Sequence, residues 1–449
     1  SGEMLDRKRW FSTEIKPKLV DGSIPMSAVD TAAKRVLWAI YANGVDRTEI
    51  TPKTIDYSRN GEVALQAARE GTVLLRNEGG LLPLAGSVRS IVVIGGKADL
   101  GVLSGGGSSQ VVPVGGFRAV EKIESGPAAT FARRAWGGTP PLDALRRTFG
   151  NAQVTFVDGN DPTAAAAAAK AADVAVVFAT KFATEAEDQP DLSLDGQQDA
   201  LIAAVASANP RTVVVLETGN AVAMPWLAKV PAVLAAWYPG QRGGDAIAEI
   251  LSGNTNPSGR LPVTFPASVD QLPNPVLPGS DLPPPSKDDK ASYGLQTNSP
   301  PFSITYPEGS DAGYRWFDRK GEKPLFAFGH GLSYTTFRYS ALKAKGGRTV
   351  SASFTVTNTG TRKGADVPQV YVTLPGKARR LIGWDKPLLM PGESRIVTIE
   401  ADPRLLASFD AARQRWVVTP GKVRIEVARS AGEPVLTARV SLAAQTIKP

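Results

Sequence analysis

Five short and almost uninterrupted apolar segments, separated by helical patterns, constrain the fold of this chain most strongly. Runs of this length and composition are typical of strands that are buried on both faces of a sheet. The apolar segments are residues 90–94, 154–157, 173–180, 212–216 and 232–237, and helices are predicted between them at 141–149, 163–172, 196–208 and 244–251. This alternation predicts an α/β domain with a mostly parallel sheet that helices cover on both faces.

One further helix is predicted ahead of this domain. Ser27 and Asp30 resemble a capping box, apolar residues follow at helical spacing, and Asn43-Gly44 ends the pattern. The apolar face of such a helix must pack against something, and nothing in residues 1–44 has the pattern of a sheet. We therefore expect the helix to belong to a domain whose other parts lie upstream.

The last third of the chain has a different pattern. A segment rich in Pro, including Leu282-Pro-Pro-Pro-Ser286, indicates a linker or a wrapping arm. Short alternating strands with turn residues between them then predict a β-sandwich. The predicted division is 1–60 for the upstream domain's tail and linker, 61–268 for the α/β domain, 269–340 for the Pro-rich segment and 341–449 for the sandwich.

Composition excludes several kinds of function. The chain has no Cys and a single His, His330, so disulfides, thiolate chemistry and zinc sites with several His ligands are excluded. The net charge of +8 comes from 51 basic residues interspersed with 43 acidic ones, and no nucleic-acid-binding motif accompanies it. No apolar run approaches the roughly 20 residues of a membrane-spanning helix. We therefore expect neither a nucleic-acid partner nor a membrane partner.

Ligands of open α/β sheets bind beyond the carboxyl ends of the strands, and two loops predicted there are candidates. Residues 104–110 are rich in Gly but fit neither phosphate-binding Gly motif, so this loop either contacts a ligand or lies against a neighbouring domain.

The second loop carries four carboxylates, Glu185, Glu187, Asp188 and Asp191. Clustered carboxylates raise one another's pKa, as a general acid requires, although a solvated acidic loop would have the same pattern. Glu217, at the end of a predicted strand, is a rival candidate that could instead bond the local backbone.

Several motifs, in the same order along nearly the whole chain, resemble the C-terminal part of the family 3 glycoside hydrolases. They are EGTVLLRNE at 70–78, LLPL at 81–84, GGGS at 105–108, TE at 184–185 before PDLSL at 190–194, MPW at 224–226, AWYPGQ at 236–241, NPSGRLPVTFP at 256–266, GYRWF at 313–317, FGHGLSY at 328–334, FTVTNTG at 354–360 and VPQVYV at 367–372.

The resemblance implies three units: the tail of a (β/α)8 barrel, an α/β sandwich domain and a fibronectin type III-like domain. It implies a retaining, exo-acting β-glycosidase of the β-glucosidase type, with the acid/base at Glu185 and the nucleophilic Asp on the barrel, upstream of Ser1. Gly106 and Ser108 are the expected substrate-binding residues. The implied partners are a β-linked oligosaccharide or glycoside and the upstream barrel domain or chain, with no metal and no organic cofactor. A β-xyloside is the alternative to a β-glucoside, and the family's habit implies a secreted or periplasmic protein.

Two residues depart from the family's pattern. Gln189 stands where many members have Arg or an apolar residue, and Asp195 stands where Pro is usual. Both leave the conformation of the acidic loop open, and Glu187 is the second choice for the acid/base. The competing hypothesis is a non-catalytic carbohydrate-binding or scaffold fragment.

Overall fold

A computed structural model describes residues 13–49, 51–124, 132–185, 187–282 and 302–449 of the chain. The Pro-rich motif that begins at Leu282 therefore lies mostly outside the described residues. Within these ranges, no helix combines the length and the apolar character needed to cross a membrane.

Two helices, α1 (Ile15–Val20) and α2 (Met26–Ala42), precede the α/β domain. The predicted helix is confirmed as α2, but the predicted capping box is wrong. Extended Pro25 occupies the cap position with no side-chain hydrogen bond, so Ser27 lies inside the first turn. The apolar face of α2 is exposed, with Trp38 73% accessible.

The α/β domain contains the predicted strands and helices and several elements that the sequence did not indicate. Its elements are α3 (Tyr57–Gly71), β1 (Val73–Asn77), β2 (Ser90–Ile94), β3 (Phe117–Lys122), β4 (Arg133–Gly137), α4 (Pro141–Thr148), β5 (Gln153–Val157), α5 (Pro162–Ala171), β6 (Val174–Lys181), α6 (Gln198–Ala208), β7 (Thr212–Thr218), β8 (Ala232–Ala235) and α7 (Gly243–Ser252). The six-stranded sheet has the order β1-β8-β7-β6-β2-β5. All its pairs are parallel except β1 with β8, so the predicted mostly parallel sheet is confirmed.

Helices cover both faces of this sheet. Alternate side chains of each central strand enter opposite cores: Val214 packs with α5 and α6, and Val215 with α4 and α7. Strands buried on both faces need apolar residues at every position, which explains their continuous apolar runs. Because β6 and β7 are central, the loops that follow them emerge at the middle of the sheet's carboxyl edge.

Beyond the α/β domain the chain forms helix α8 (Tyr314–Lys320) and then an all-β unit, which confirms the predicted sandwich. Its strands are β9 (Phe337–Lys345), β10 (Ser351–Asn358), β11 (Gly364–Ala365), β12 (Gln369–Thr373), β13 (Arg380–Trp384), β14 (Leu388–Leu389), β15 (Ser394–Glu400), β16 (Ser408–Asp410), β17 (Arg415–Val418), β18 (Gly421–Ser430), β19 (Glu433–Leu442) and β20 (Gln445–Ile447). The first strand begins ahead of residue 341, and the four domain boundaries themselves stay predictions.

A buried ion pair joins the α/β part of the chain to the sandwich. Arg260 Nη2 lies 2.7 Å from Asp366 Oδ1, and the Tyr339 hydroxyl donates to Asp366 Oδ2 at 2.7 Å. Asp366 is 3% exposed, so these two side chains take the place of water as partners of its carboxylate.

Candidate active site

The Gly-rich loop after β2 and the acidic loop after β6 lie against each other at the carboxyl edge of the sheet. The Gly106 N–H donates to the Ala183 carbonyl oxygen at 3.0 Å, and the Glu185 N–H donates to the Gly106 carbonyl oxygen at 3.4 Å. A Cβ atom at position 106 would lie 2.5 Å from Thr184 Oγ1 and 2.9 Å from Phe182 Cζ, so only glycine permits this approach.

Glu185 lies on the surface of an open pocket of about 590 Å³ between these loops. Its Oε2 accepts a hydrogen bond from the Ser108 N–H at 2.8 Å and a second one from the Ser108 hydroxyl. The pocket is also lined by Ser104, Gly106 and Tyr238, and Glu185 is the single carboxyl among its described lining residues. The structure thus brings together Glu185, Gly106 and Ser108, the three residues expected from the sequence.

The expected pKa shift of Glu185 is contradicted. The Ser108 hydroxyl and then the Ser108 N–H stabilise the carboxylate and lower the pKa of Glu185 below its ordinary value. The neighbouring carboxylates do not oppose this effect, because they lie elsewhere on the loop. Glu187 and Asp188 line a different pocket, next to Arg134.

Asp191 is an ion-pair partner of a buried lysine. Its Oδ1 lies 3.1 Å from Lys181 Nζ, and the Lys181 side chain is 6% exposed. The Ser193 N–H and, more weakly, Lys181 lower the pKa of Asp191. Asp191 therefore belongs to the base of the acidic loop and not to the pocket.

Glu217 is wholly buried and lies outside the pocket. Strand β7 continues past the predicted end at residue 216, so Glu217 is paired with Thr180 of β6 inside the sheet. Neither carboxylate oxygen has a hydrogen-bond partner among the residues that the structure describes, so the expected bond to the local backbone is not formed. Burial raises the pKa of Glu217 to about 8.

Sequence reasoning missed Tyr238, which follows β8 and reaches the start of the acidic loop. Its hydroxyl accepts a hydrogen bond from the Ala183 N–H at 2.8 Å and donates to the Lys181 carbonyl oxygen at 2.7 Å. The preceding residue, Trp237, has a φ of 59°, which is rare for a non-glycine residue. An aromatic residue directly after a buried strand was the signal that could have indicated this contact.

The arrangement presents one proton-transfer group in an accessible pocket. A carboxylate with a hydroxyl and an N–H beside it can exchange a proton with a bound molecule. Across the described ranges, no cluster of three or more Asp, Glu or His side chains could hold a metal ion.

Comparisons with known families give the same architecture. The model of the "Glycosyl hydrolase family 3 C-terminal domain" matches residues 72–334, and that of the "Fibronectin type III-like domain" matches residues 366–431. The chain therefore belongs to glycosyl hydrolase family 3, with a C-terminal domain of that family followed by a fibronectin type III-like domain.

Three relatives show how much of such a protein the chain represents. Beta-glucosidase B of Emericella nidulans is 41% identical over 297 residues, which are 63% of this chain and 34% of that protein. Thermostable beta-glucosidase B of Acetivibrio thermocellus is 33% identical over 431 residues, 92% of this chain and 52% of that protein. The solved structure of DesR, a beta-glucosidase from Streptomyces venezuelae in complex with D-glucose, superimposes with a TM-score of 0.80 at 29% identity, covering 97% of this chain and 67% of that one. The chain thus spans about half or less of the two curated relatives' length.

Proposed function

We propose that this chain is the acid/base-bearing part of a retaining, exo-acting β-glycosidase that hydrolyses terminal β-linked sugars, with a β-glucoside as the substrate. Glu185 is the acid/base, and an Asp on an upstream barrel domain is the nucleophile. The observation that carries this proposal is the position of Glu185, the single described carboxyl lining the open pocket at the carboxyl edge of the sheet. The names of the relatives, which are beta-glucosidases, support the substrate class.

A retaining mechanism needs two carboxyl groups roughly 5–5.5 Å apart. The pocket on this chain offers one of them and is open on the remaining side, so the proposal puts the second carboxyl and most of the sugar contacts on the barrel. Glu185 first protonates the leaving oxygen and then removes a proton from the attacking water. The docked barrel also supplies what raises the pKa of Glu185, because it excludes water and brings a second carboxylate close to the first.

The Ser108 side chain and the Gly106 backbone have a supporting role in this proposal. Both already bond to the acidic loop, so they fix Glu185 in addition to lining the place where the sugar would lie. We propose that the exposed apolar face of α2 packs on the same barrel, which accounts for exposed Trp38 and Val36. Export to the periplasm or the outside of the cell stays a prediction from the family's habit.

The test compares leaving groups in a protein that includes the barrel. Glu185→Ala should slow glycosylation by about 10²–10⁴-fold for an alkyl or sugar leaving group, since these leave only when protonated. For a dinitrophenyl glycoside, which leaves without a proton, glycosylation should be almost unchanged. The rates are measured as kcat/KM for a series of aglycones of increasing pKa.

Glu187→Ala is the matched control, because Glu187 lies on the same loop and lines a different pocket. Its kcat/KM should depend on the aglycone as in the unmodified enzyme. If Glu187→Ala showed the steep dependence and Glu185→Ala did not, the assignment of the acid/base would be wrong. If the unmodified barrel-containing protein and both variants failed to hydrolyse glycosides, a non-catalytic carbohydrate-binding role would replace the proposal.

A further inference from the structure

The segment 180–183, which carries the chain from the end of β6 towards Glu185, extends past the last residue that pairs with β2. Strand β2 pairs with β6 only as far as Val177, and the last pair of β6 with β7 is Lys181 with Thr218. Backbone N–H and C=O groups beyond these pairs need other partners. Side chains supply them on both sides.

On the β2 side, three polar side chains replace the missing strand. Gln198 Oε1 accepts from the Thr180 N–H at 2.8 Å, and Gln198 Nε2 donates to the Thr180 carbonyl at 2.7 Å. Two residues further along, Asp195 Oδ2 accepts from the Phe182 N–H at 3.2 Å, and Gln189 Nε2 donates to the Phe182 carbonyl at 3.1 Å. These partners alternate with the period of two that a neighbouring strand would have.

On the opposite side, the Tyr238 hydroxyl holds the intervening residues. It donates to the carbonyl of Lys181 and accepts from the N–H of Ala183, as described above. Phe182 Cζ would lie 2.9 Å from a Cβ atom at position 106, and the Arg134 guanidinium lies over the Phe182 ring, with its Cζ 5.1 Å from the ring centroid. The position of Phe182 therefore determines how closely the acidic loop can approach the Gly-rich loop.

We infer that Gln189, Asp195, Gln198 and Tyr238 form a side-chain ladder that positions Glu185 for proton transfer. Gln189 and Asp195, the two departures from the family's pattern, both bond to the same residue, Phe182, and so act together. The ladder residues touch the backbone of the loop and act on the reaction through Glu185. This inference rests on the proposed role of Glu185 as the acid/base.

The test uses the barrel-containing protein and the same series of leaving groups. Gln189→Ala with Asp195→Ala, and separately Tyr238→Phe, should lower kcat/KM by about 10–100-fold for an alkyl glycoside, since small misplacements of a reacting group cost factors of this size. For the dinitrophenyl glycoside, which needs no proton from Glu185, the loss should stay within about threefold. Tyr238→Phe keeps the ring in place, so it tests the ladder even where the double variant does not fold.

Two controls separate positioning from stability. Gln153→Ala, at the amino end of β5, and Tyr306→Phe, on the exposed surface, should leave both substrates unaffected. Suppose that kcat/KM of Glu185→Ala depends steeply on the leaving group, as proposed. Equal losses of kcat/KM for the two leaving groups in the ladder variants, or no loss in either variant, would then overturn the inference and leave the proposed function standing. A flat dependence in Glu185→Ala itself would overturn the proposed function and the inference together.

Discussion

Glu217 makes the stability of the α/β domain depend on pH in a direction that is unusual for a carboxyl group. The side chain is 0% exposed, and burial raises its pKa from 4.5 to about 8. Between these two values the folded chain keeps a proton that the unfolded chain releases. The free energy of unfolding should therefore fall as pH rises through this window, by up to about 1.4 kcal/mol per pH unit.

The perturbation that isolates this effect is Glu217→Gln, which keeps the shape and cannot ionise. Between pH 5 and pH 8 the stability of the variant relative to the unmodified chain should rise by about 3.5 kcal/mol, because the full slope of about 1.4 kcal/mol per pH unit is reached only in the middle of this window. The two proteins are compared by how their free energy of unfolding changes with pH, and not by its value at one pH. The reason is that the buried, unpaired amide of the Glu217→Gln variant itself lowers the free energy of unfolding at every pH.

The assay is urea unfolding at pH 5, 6, 7 and 8 and constant ionic strength, followed by tryptophan fluorescence. Glu187→Gln, an exposed neighbour on the acidic loop, is the control and should run parallel to the unmodified chain. Parallel curves for Glu217→Gln as well would show that Glu217 is not a buried neutral acid, and the reasoning from its missing partners would fail.

Three further predictions follow from named contacts. Ser108→Ala removes the hydroxyl that contributes most to lowering the pKa of Glu185. In the barrel-containing enzyme the alkaline limb of the pH profile of kcat/KM should therefore move to higher pH. An alkaline limb that did not move would contradict this role of Ser108. Asp366→Ala leaves the largely buried Arg260 without its partner and should lower the free energy of unfolding by about 3–5 kcal/mol in a urea titration, whereas Glu400→Ala, at an exposed position of the sandwich, should change it little. Residues 1–449 alone should not turn over an aryl β-glucoside, because the proposed pair of carboxyl groups is then incomplete, and measurable hydrolysis would contradict the upstream nucleophile.

The central strands could be predicted because their burial on both faces demands an unbroken apolar run. Strand β1 was not predicted, although residues 73–77 are part of a motif that resembles the family. The alternation of strands and helices predicts parallel strands, and it does not reveal a strand that pairs antiparallel at the edge of the sheet. The apolar run predicts that β7 ends at residue 216, but the strand continues to Thr218 and places Glu217 inside the sheet. That boundary error hid the most unusual titratable group of the domain.

The proximity of Glu185, Gly106 and Ser108 could be predicted from the sequence, but their hydrogen bonds and electrostatics could not. The loops of Glu185 and Ser108 could be placed at one edge of the sheet, because parallel strands end there. Their hydrogen bond, and the lowered pKa that it causes, depend on an approach of two backbones that only Gly106 allows. The ladder was likewise hidden, because Gln189 and Tyr238 are far apart in sequence and meet the same segment only in the folded chain.

The most direct test of the central claim is the product that Glu185→Ala forms with azide. In the barrel-containing protein the variant should accumulate a glycosyl-enzyme from a dinitrophenyl β-glucoside, because no base activates the water. Azide needs no base and should enter the place of the lost carboxylate, restoring turnover and giving the β-glucosyl azide, identified by its anomeric coupling in the NMR spectrum. An α-glucosyl azide would contradict retention, and rescue of Glu187→Ala but not of Glu185→Ala would contradict Glu185 as the acid/base.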